Sequence, residues 1–168
     1  RKMLSMFNHI FVQTPPSKQL IDRLDLSLYC SVAGDTRYDR VIEIAATTKR
    51  IAEIEKFIVD YKCIVAGSTW PEDELVIQKA FSEINYPSVK LIIAPHEIDQ
   101  KHFLSLKELF PDSILFSDLQ QKNELMPESQ VLIIDNVGML SSIYKYATIT
   151  YVGGGLKSGG VHNVLEAA

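Results

Sequence analysis

Short apolar, β-rich runs alternate with helical patterns along the whole chain, and this alternation restricts the fold more than any other feature of the sequence. The predicted strands are Ile10–Gln13, Tyr29–Ala33, Cys63–Ala66, Lys90–Ala94, Ile114–Phe116, Val131–Ile134 and Ile149–Val152. Several are apolar throughout, as expected for parallel strands that are covered on both faces. Strands that alternate with helices predict an α/β fold built on a doubly wound, mostly parallel sheet.

Two of the intervening segments carry a clear helical pattern. In Arg50–Val59 and Glu72–Ile84, apolar side chains recur three or four residues apart, which places them on one helix face. The polar segment Leu119–Ser129 contains Pro127 and is predicted to be a loop. No repeat or linker interrupts the pattern, so the sequence predicts one domain over residues 1–168.

Composition excludes several classes of protein. The chain of 168 residues has 17 basic and 21 acidic side chains, a balance that argues against a protein that coats DNA or RNA. No apolar run approaches the roughly 18 residues that a membrane span needs. Cys30 and Cys63 both lie in predicted strands, so we expect neither a disulfide framework nor a zinc site. A reducing, cytoplasmic setting fits this use of cysteine. Because the chain opens with Arg1, we expect it to be a piece of a longer protein.

Ligands of doubly wound sheets bind at the carboxyl ends of the strands, so the loops that follow the strands are the candidate functional segments. In the loop Gly34–Asp39, Arg37 could offer a planar fork to a phosphate or carboxylate. The alternative is a turn that leads into a helix near Asp39, with Arg37 paired to a neighbouring acid.

A second loop, Gly67–Glu72, allows two interpretations. Thr69 and Glu72 match a capping box, with a proline tolerated in the first helical turn. Alternatively, the hydroxyls of Ser68 and Thr69 hold an anion at the start of the helix. Because the acidic residues of that first turn would repel a phosphate, capping is the favoured interpretation.

Two further loops carry single candidates. His96 follows a predicted strand and could donate to a phosphate or sugar oxygen, or could equally be a solvated loop histidine. After another strand, Asp135 and Asn136 can cap the next helix, while Gly138 can leave its backbone amide open to a ligand.

The last segment is rich in glycine, with Gly153–Gly155 directly after a strand and Gly159-Gly160 shortly before a predicted helix start. Backbone without side chains can approach a ligand closely. Glu166, about one turn into that helix, can accept hydrogen bonds from two vicinal hydroxyls. The spacing matches neither GxGxxG nor the P-loop, and no cluster has the spacing of metal ligands. The residues themselves therefore predict a nucleotide-binding α/β domain and no particular reaction.

Taken in order, these segments resemble the C-terminal half of the 3-deoxy-D-manno-octulosonic acid (Kdo) transferases, which use CMP-Kdo in lipopolysaccharide biosynthesis. The resemblance covers nearly the whole chain. The matching stretches are Val32–Val41, Ala66–Trp70, Ile92–Glu97, Ile134–Leu140, and Tyr151–Gly155 with His162–Ala168.

The resemblance implies one half of a GT-B glycosyltransferase, a Rossmann-like domain that holds the CMP moiety without a metal or other cofactor. Arg37 would help to stabilise charge on the departing phosphate, and Glu166 would contact the ribose hydroxyls. The residues implied to lie against CMP are Pro95, His96, Val137, Gly138, Met139, Asn163, Val164, Leu165 and Glu166. Ser68 and Thr69 are candidates for a phosphate loop.

The family's catalytic glutamate, its acceptor site for a lipid A precursor and its membrane-associating surface belong to an N-terminal domain that is not in this sequence. The resemblance thus implies a donor-binding half that is inactive alone, from an enzyme at the cytoplasmic face of the inner membrane of a Gram-negative bacterium. Many members carry an arginine where this chain has His96. The alternatives are another GT-B-like enzyme, such as a sugar-nucleotide epimerase or a UDP-sugar transferase, and a nucleotide-binding module without catalysis.

Overall fold

The computed structural model describes residues 3–24, 29–47, 50–84, 88–121, 129–157 and 160–167. The chain divides into two compact units, Arg1–Ala46 and Thr47–Ala168, which are treated separately below. The single domain predicted over residues 1–168 stays a prediction.

The first unit is a small parallel β–α–β arrangement followed by a helix. Its elements are β1 (Ile10–Val12), α1 (Pro15–Asp22), β2 (Cys30–Val32) and α2 (Thr36–Thr47). The strands β1 and β2 pair in parallel, with Ile10 opposite Cys30. Helix α1 begins after Thr14, whose hydroxyl accepts a hydrogen bond from the backbone amide of Ser17 at 3.2 Å.

The second unit contains a five-stranded parallel sheet in the order β5-β6-β4-β3-β7. The strands are β3 (Lys62–Thr69), β4 (Val89–Pro95), β5 (Ile114–Leu115), β6 (Val131–Ile133) and β7 (Ile149–Val152). The helices are α3 (Ala52–Phe57), α4 (Pro71–Glu83), α5 (Gln100–Leu109), α6 (Phe116–Gln121) and α7 (Leu140–Ile143).

Strand β4 shows why the strands are apolar throughout. Every residue of β4 is buried, because helices cover both faces of the sheet. Leu91 and Ile93 join the core cluster on one face, whereas Ile92 joins the cluster on the other. This alternation follows from the two-residue period of a strand. The predicted α/β fold with a parallel sheet is therefore confirmed.

The individual elements agree with the sequence at most positions. All of the predicted strands are present, and the helices predicted over Arg50–Val59 and Glu72–Ile84 correspond to α3 and α4. The predicted loop Leu119–Ser129 is wrong at its beginning, because α6 continues to Gln121. The first turn of α6 is stabilised by a distant residue, because the carboxylate of Asp135 accepts a hydrogen bond from the backbone amide of Ser117. Residues 122–128 of that loop lie outside the described residues.

The arrangement places four loops at one edge of the sheet. Since β3, β4, β6 and β7 are parallel, the segments after their carboxyl ends meet there. Cys30 and Cys63 are both buried and free. Within the described ranges, no helix has the length and apolar character needed to cross a membrane.

Candidate functional site

A cavity of about 280 Å³ lies at the carboxyl edge of the sheet, where β3, β4 and β6 end. It is lined by Ser68, Ala94, Pro95, His96, Ile98, Ile134, Asn136, Val137, Gly138 and Leu140. Five of these residues are among the predicted ligand contacts. The structure thus brings together three loops that the sequence analysis had selected one at a time.

The backbone around the cavity adopts conformations that most residues avoid. Ser68 has φ of 51°, at the irregularity where the pairing of β3 with β4 shifts. Gly138 has φ of 90°, and no atom lies within 4 Å of the position that a Cβ would take. Left-handed backbone at a non-glycine residue is uncommon and concentrates at functional sites. Both positions face the same cavity.

Asp135 and Asn136 do not cap α7, so that interpretation is wrong. The N-cap of α7 is Met139, which makes no side-chain bond to the helix. The carboxylate of Asp135 instead accepts hydrogen bonds from the backbone amide and the hydroxyl of Ser117, in the first turn of α6. Asn136 lines the cavity, and its buried Oδ1 has no hydrogen-bond partner among the described residues. A ligand with a donor group would satisfy that oxygen.

The predicted capping box of Thr69 and Glu72 is also wrong, because α4 begins one residue later. Trp70 is the N-cap, and its backbone amide donates to Oδ2 of Asp73 at 3.0 Å. The hydroxyl of Thr69 donates instead to Oε1 of Glu74 at 2.9 Å, and Thr69 is fully buried. Thr69 is therefore part of the buried layer next to the cavity and does not line it, whereas Ser68 does.

Asp73 connects the start of α4 to the glycine-rich segment. Its Oδ2 also accepts from the backbone amide of Gly154 at 3.0 Å, and its Oδ1 accepts from the hydroxyl of Tyr151 at 2.7 Å. Burial alone would raise the pKa of Asp73, but the hydrogen bonds from Gly154, Tyr151 and Trp70 outweigh burial and hold the pKa below its ordinary value. Burial, together with the bond to Asp73, raises the pKa of Tyr151 to about 12. Asp73 is thus ionised and Tyr151 is neutral at physiological pH.

A second buried carboxylate lies one residue further along α4. Oε2 of Glu74 lies 2.9 Å from Nε2 of His102 in α5, and Nδ1 of His102 lies 3.0 Å from the carbonyl oxygen of Glu97. Both ring nitrogens of His102 therefore face acceptor oxygens, one from the Glu74 carboxylate and one from the backbone of Glu97. This pair joins α4 to α5 and orients Thr69 through Glu74.

Three aromatic rings meet at the mouth of the site. The indole Nε1 of Trp70 donates to Nε2 of His162 at 2.9 Å. The ring of His96 lies 4.6 Å from that of Trp70 and 4.3 Å from that of His162, measured between centroids. The ammonium of Lys157 lies 3.4 Å from the centroid of the Trp70 ring. A cation over an indole face is favourable, so Lys157 adds a positive charge to this edge.

The remaining predicted contacts do not line the cavity, judged over the described residues. Met139 packs against the core cluster that includes Ile143. The predicted helix after the glycines is a short 3₁₀ turn, Leu165–Ala167, in which Glu166 is half-buried. The preceding predicted contacts, Asn163 and Val164, are exposed. Burial raises the pKa of Tyr144 to about 12, with a further contribution from the charge of Glu166. The roles of these residues toward a nucleotide stay predictions.

Arg37 belongs to the first unit. Its guanidinium forms a two-point ion pair with Asp35, with Nη2 2.6 Å from Oδ2 and Nε 2.9 Å from Oδ1. The bond to Arg37 lowers the pKa of Asp35, and the bond to Asp35 raises the pKa of Arg37. This arrangement agrees with the alternative interpretation of the loop, in which Arg37 pairs with a neighbouring acid and a helix begins nearby. Its role at a phosphate stays a prediction.

Several residues of this site were not selected from the sequence. Asp73, Tyr151 and His162 form its internal hydrogen bonds, and Trp70 joins His162 across 92 positions of the chain. The weak signal available was that Trp70 and His162 both lie in segments that follow predicted strands. No group of three or more His, Cys, Asp or Glu side chains within the described ranges could hold a metal ion.

Several proteins with assigned names are similar to this chain in sequence. A bifunctional glycosyltransferase/methyltransferase from Fusobacterium nucleatum is 34% identical over 119 residues, which cover 68% of this chain and 18% of that protein. A 3-deoxy-D-manno-octulosonic acid transferase from Rickettsia typhi is 24% identical over 168 residues, which cover 99% of this chain and 36% of that protein. The chain therefore spans about a third or less of the length of these relatives. No family model matches it.

A solved structure confirms the predicted Rossmann-like fold. The C-terminal CMP-Kdo binding domain of WaaA from Acinetobacter baumannii superposes with a TM-score of 0.54, covering 76% of this chain and 65% of that one at 19% identity. The resemblance drawn from the sequence motifs is confirmed by these relatives.

Proposed function

We propose that this chain, which is similar to the 3-deoxy-D-manno-octulosonic acid (Kdo) transferases, is the part of such an enzyme that binds the donor CMP-Kdo. The whole protein would transfer Kdo to a lipid A precursor in lipopolysaccharide biosynthesis. The observation that carries the proposal is the cavity in which Ser68, Pro95, His96, Val137 and Gly138 converge.

The chemistry of the cavity suits a nucleotide. Its wall combines apolar side chains with a few polar groups, which is the usual make-up of a ligand site. The unpartnered Oδ1 of Asn136 accepts a donor, and an amino group such as that of cytosine supplies one. The exposed His96 at the mouth is within reach of a phosphate that occupies the same cavity. Glu166 would contact the ribose hydroxyls, as the resemblance implies.

In the transfer itself, the bond between the sugar and the CMP phosphate breaks as an acceptor hydroxyl attacks. Negative charge develops on the departing phosphate, and positive or dipolar groups near it lower the barrier. In the second unit, His96 and Lys157 are the candidates for that task. A base that activates the hydroxyl is also required, and we place it outside this chain.

We further propose that the donor binds without a metal, and that the acceptor and the membrane are engaged by the rest of the protein. A second enzyme class has a specific point in its favour, since the Fusobacterium relative is named as a glycosyltransferase without a stated donor. A transferase for a different nucleotide sugar would use the same cavity and differ in the base that it prefers.

The test is calorimetric titration of the purified chain with CMP and with UDP. We expect binding of CMP that is tighter than binding of UDP, and loss of CMP binding in Val137→Trp, because the larger side chain fills the mouth of the cavity. The matched control is Val76→Trp, an exposed valine of α4 that does not line the cavity. Equal affinity for UDP, or full CMP affinity in Val137→Trp, would contradict the proposal.

A further inference from the structure

The hydrogen bond between Trp70 and His162 determines the protonation state of His162. An indole N–H is only a donor, so Nε2 of His162, 2.9 Å away, must accept with its lone pair. In this arrangement the ring of His162 is neutral and carries its proton on Nδ1. A proton added to Nε2 would remove the acceptor and set two N–H groups against each other.

His162 also contacts the glycine-rich segment through its backbone and lies close to it with its ring. The backbone amide of His162 donates to the carbonyl oxygen of Gly153 at 3.2 Å. Gly154, with φ of 91°, lies so close to the imidazole that a Cβ there would be 2.8 Å from Cδ2 of His162. Trp70, at the end of β3, thus connects through one hydrogen bond to both Gly153 and Gly154 after β7.

His96 links this arrangement to the cavity. The planes of Trp70 and His162 are 16° apart with centroids separated by 6.3 Å, as for two rings that are bonded edge to edge. His96 stacks on His162 with planes 20° apart, and it also lines the cavity. A change in the position of His162 therefore removes one of the two rings that His96 contacts, and leaves only Trp70.

We propose that His162 is a positioning residue and a pH-sensitive control of the donor site: its neutral form, bonded to Trp70, holds His96 in place for the ligand, and protonation of His162 releases it. The identity of the ligand in this inference rests on the proposed function. The hydrogen bond between Trp70 and His162 does not depend on it. Histidine side chains change charge between about pH 5 and 8, so the effect falls in the physiological range.

Charged groups on each neighbouring element act on His162. Asp73 of α4 interacts with it electrostatically and favours a positive ring, whereas the ammonium of Lys157 over Trp70 opposes one. Glu72 lies 4.0 Å from Lys157 and weakens that opposition. His96 stacks on His162, and two stacked imidazolium rings would repel each other.

The chain has one tryptophan, which makes the hydrogen bond directly observable. The experiment follows the indole N–H signal of Trp70 by NMR, with its rate of hydrogen exchange, from pH 8 to pH 5.5. We expect a protected signal at pH 8 that loses its protection on acidification. In His162→Gln the amide oxygen still accepts but does not titrate, so protection should persist at every pH. In His162→Leu it should be absent throughout.

Binding of CMP is measured on the same samples. Because the phosphate of CMP also titrates near pH 6, the informative quantity is the affinity of the natural chain divided by that of His162→Gln at each pH. We expect this ratio to fall as the pH is lowered, and to fall about tenfold per pH unit once His162 is mostly protonated.

The outcomes separate the two proposals. A Trp70 signal that does not change with pH, or that is protected in His162→Leu, would overturn the inference. A constant affinity ratio would overturn the control of the donor site even if the indole responds. If the indole responds as expected and no variant binds CMP at any pH, the proposed function fails and the positioning of the glycine segment by His162 stands.

Discussion

The carboxylate of Asp73 holds the backbone of Gly154, whose amide nitrogen lies 3.0 Å from Oδ2 across 81 positions of the chain. The same carboxylate accepts from the N-cap amide of its own helix at 3.0 Å. One buried side chain therefore completes the start of α4 and fixes the segment that follows β7. The site depends on this junction because Trp70 and His162 lie on its two sides.

Replacement of Asp73 by asparagine should destabilise the second unit by about 1–3 kcal/mol, the cost of leaving buried donors unpaired. Asparagine keeps the shape but offers one acceptor oxygen, where the carboxylate serves Trp70, Gly154 and Tyr151 with two. The measurement is urea unfolding monitored by circular dichroism at pH 7. Tyr151→Phe, which removes one donor and leaves the charge, should cost less. An Asp73→Asn variant as stable as the natural chain would contradict this role.

The natural chain should also lose more stability than Asp73→Asn when the pH falls below about 4. The pKa of Asp73 is lower in the folded state than the ordinary aspartate value, so the unfolded chain binds more protons in that range and stability falls with pH. The stabilisation is present above the ordinary pKa and is lost as the pH passes through the folded pKa. Asp35 and Glu55 also have lowered pKa values, but they are common to both proteins. If the stabilities of the natural chain and of Asp73→Asn fall equally as the pH is lowered, Asp73 contributes nothing to the loss of stability in acid.

Glu74→Ala should destabilise the protein by about 1–3 kcal/mol, because it leaves the buried Thr69 hydroxyl and the His102 imidazole without their acceptor. Glu74 is 3% exposed and accepts from both His102 and Thr69. Glu72 lies two residues earlier in the same turn, with a side chain 54% exposed and 4.0 Å from Lys157. Glu72→Ala is the matched control and should cost about 0–1 kcal/mol. Equal losses in the two variants, measured by urea unfolding, would contradict the pair's role.

The strands were predictable because a fully covered parallel strand has a local signature, an unbroken apolar run such as Leu91 to Ile93. The three loops that form the cavity were also predictable, since the carboxyl ends of parallel strands meet at one edge. In each case the information lies within about ten consecutive residues. Convergence of Ser68, His96 and Gly138 then follows from topology.

The internal partners of the site were not predictable for the opposite reason. Thr69 and Glu72 fit a capping box locally, but Asp73 accepts from the amide of Trp70 and also bonds to Gly154 and Tyr151, and α4 begins one residue later. Likewise, Asp135 precedes α7 in the sequence, yet its carboxylate accepts from Ser117 instead. Such choices depend on which residues the sheet brings together, and a short window of sequence does not contain them.

Binding of CMP to this chain should be unaffected by EDTA. The expectation follows from the resemblance and from the donor groups around the cavity, which are backbone, hydroxyl, amide and imidazole rather than paired carboxylates. Calorimetric titrations with and without chelator provide the measurement. Loss of affinity with EDTA that magnesium or manganese restores would overturn metal-independent binding, and recovery by dialysis alone would point to an effect of EDTA itself.

Gly67→Ala should destabilise the protein by about 1–3 kcal/mol through overpacking. An added Cβ would lie 2.0 Å from the hydroxyl oxygen of Tyr144 and 2.5 Å from Leu140, both of which are packed in the core. The double variant Gly67→Ala with Tyr144→Phe removes the nearest atom and should recover part of the loss. Urea unfolding provides the comparison. A full loss in the double variant would mean that the ring, not the hydroxyl, limits the space.

Gly154→Ala and Gly160→Ala form a pair that isolates the contact with His162. Both glycines have positive φ, 91° and 80°, so each alanine should cost about 1–2 kcal/mol for its backbone conformation. A Cβ at Gly154 would meet the ring of His162 and the carbonyl oxygen of Gly160, both at 2.8 Å, whereas at Gly160 no atom of the described residues lies within 4 Å. Gly154→Ala should therefore cost about 1–3 kcal/mol more.

The same pair tests whether His162 moves when Gly154 acquires a side chain. The new methyl group displaces the imidazole from Trp70, so hydrogen-exchange protection of the single indole should fall in Gly154→Ala and remain in Gly160→Ala. Both variants are compared under conditions where each is folded by circular dichroism. If protection remains in Gly154→Ala although stability falls, the new methyl group displaces the backbone around residue 154 and not the ring of His162. The hydrogen bond from Trp70 then positions His162 more strongly than the packing against Gly154 does. If protection falls in both variants, backbone conformation rather than the contact with the ring positions His162.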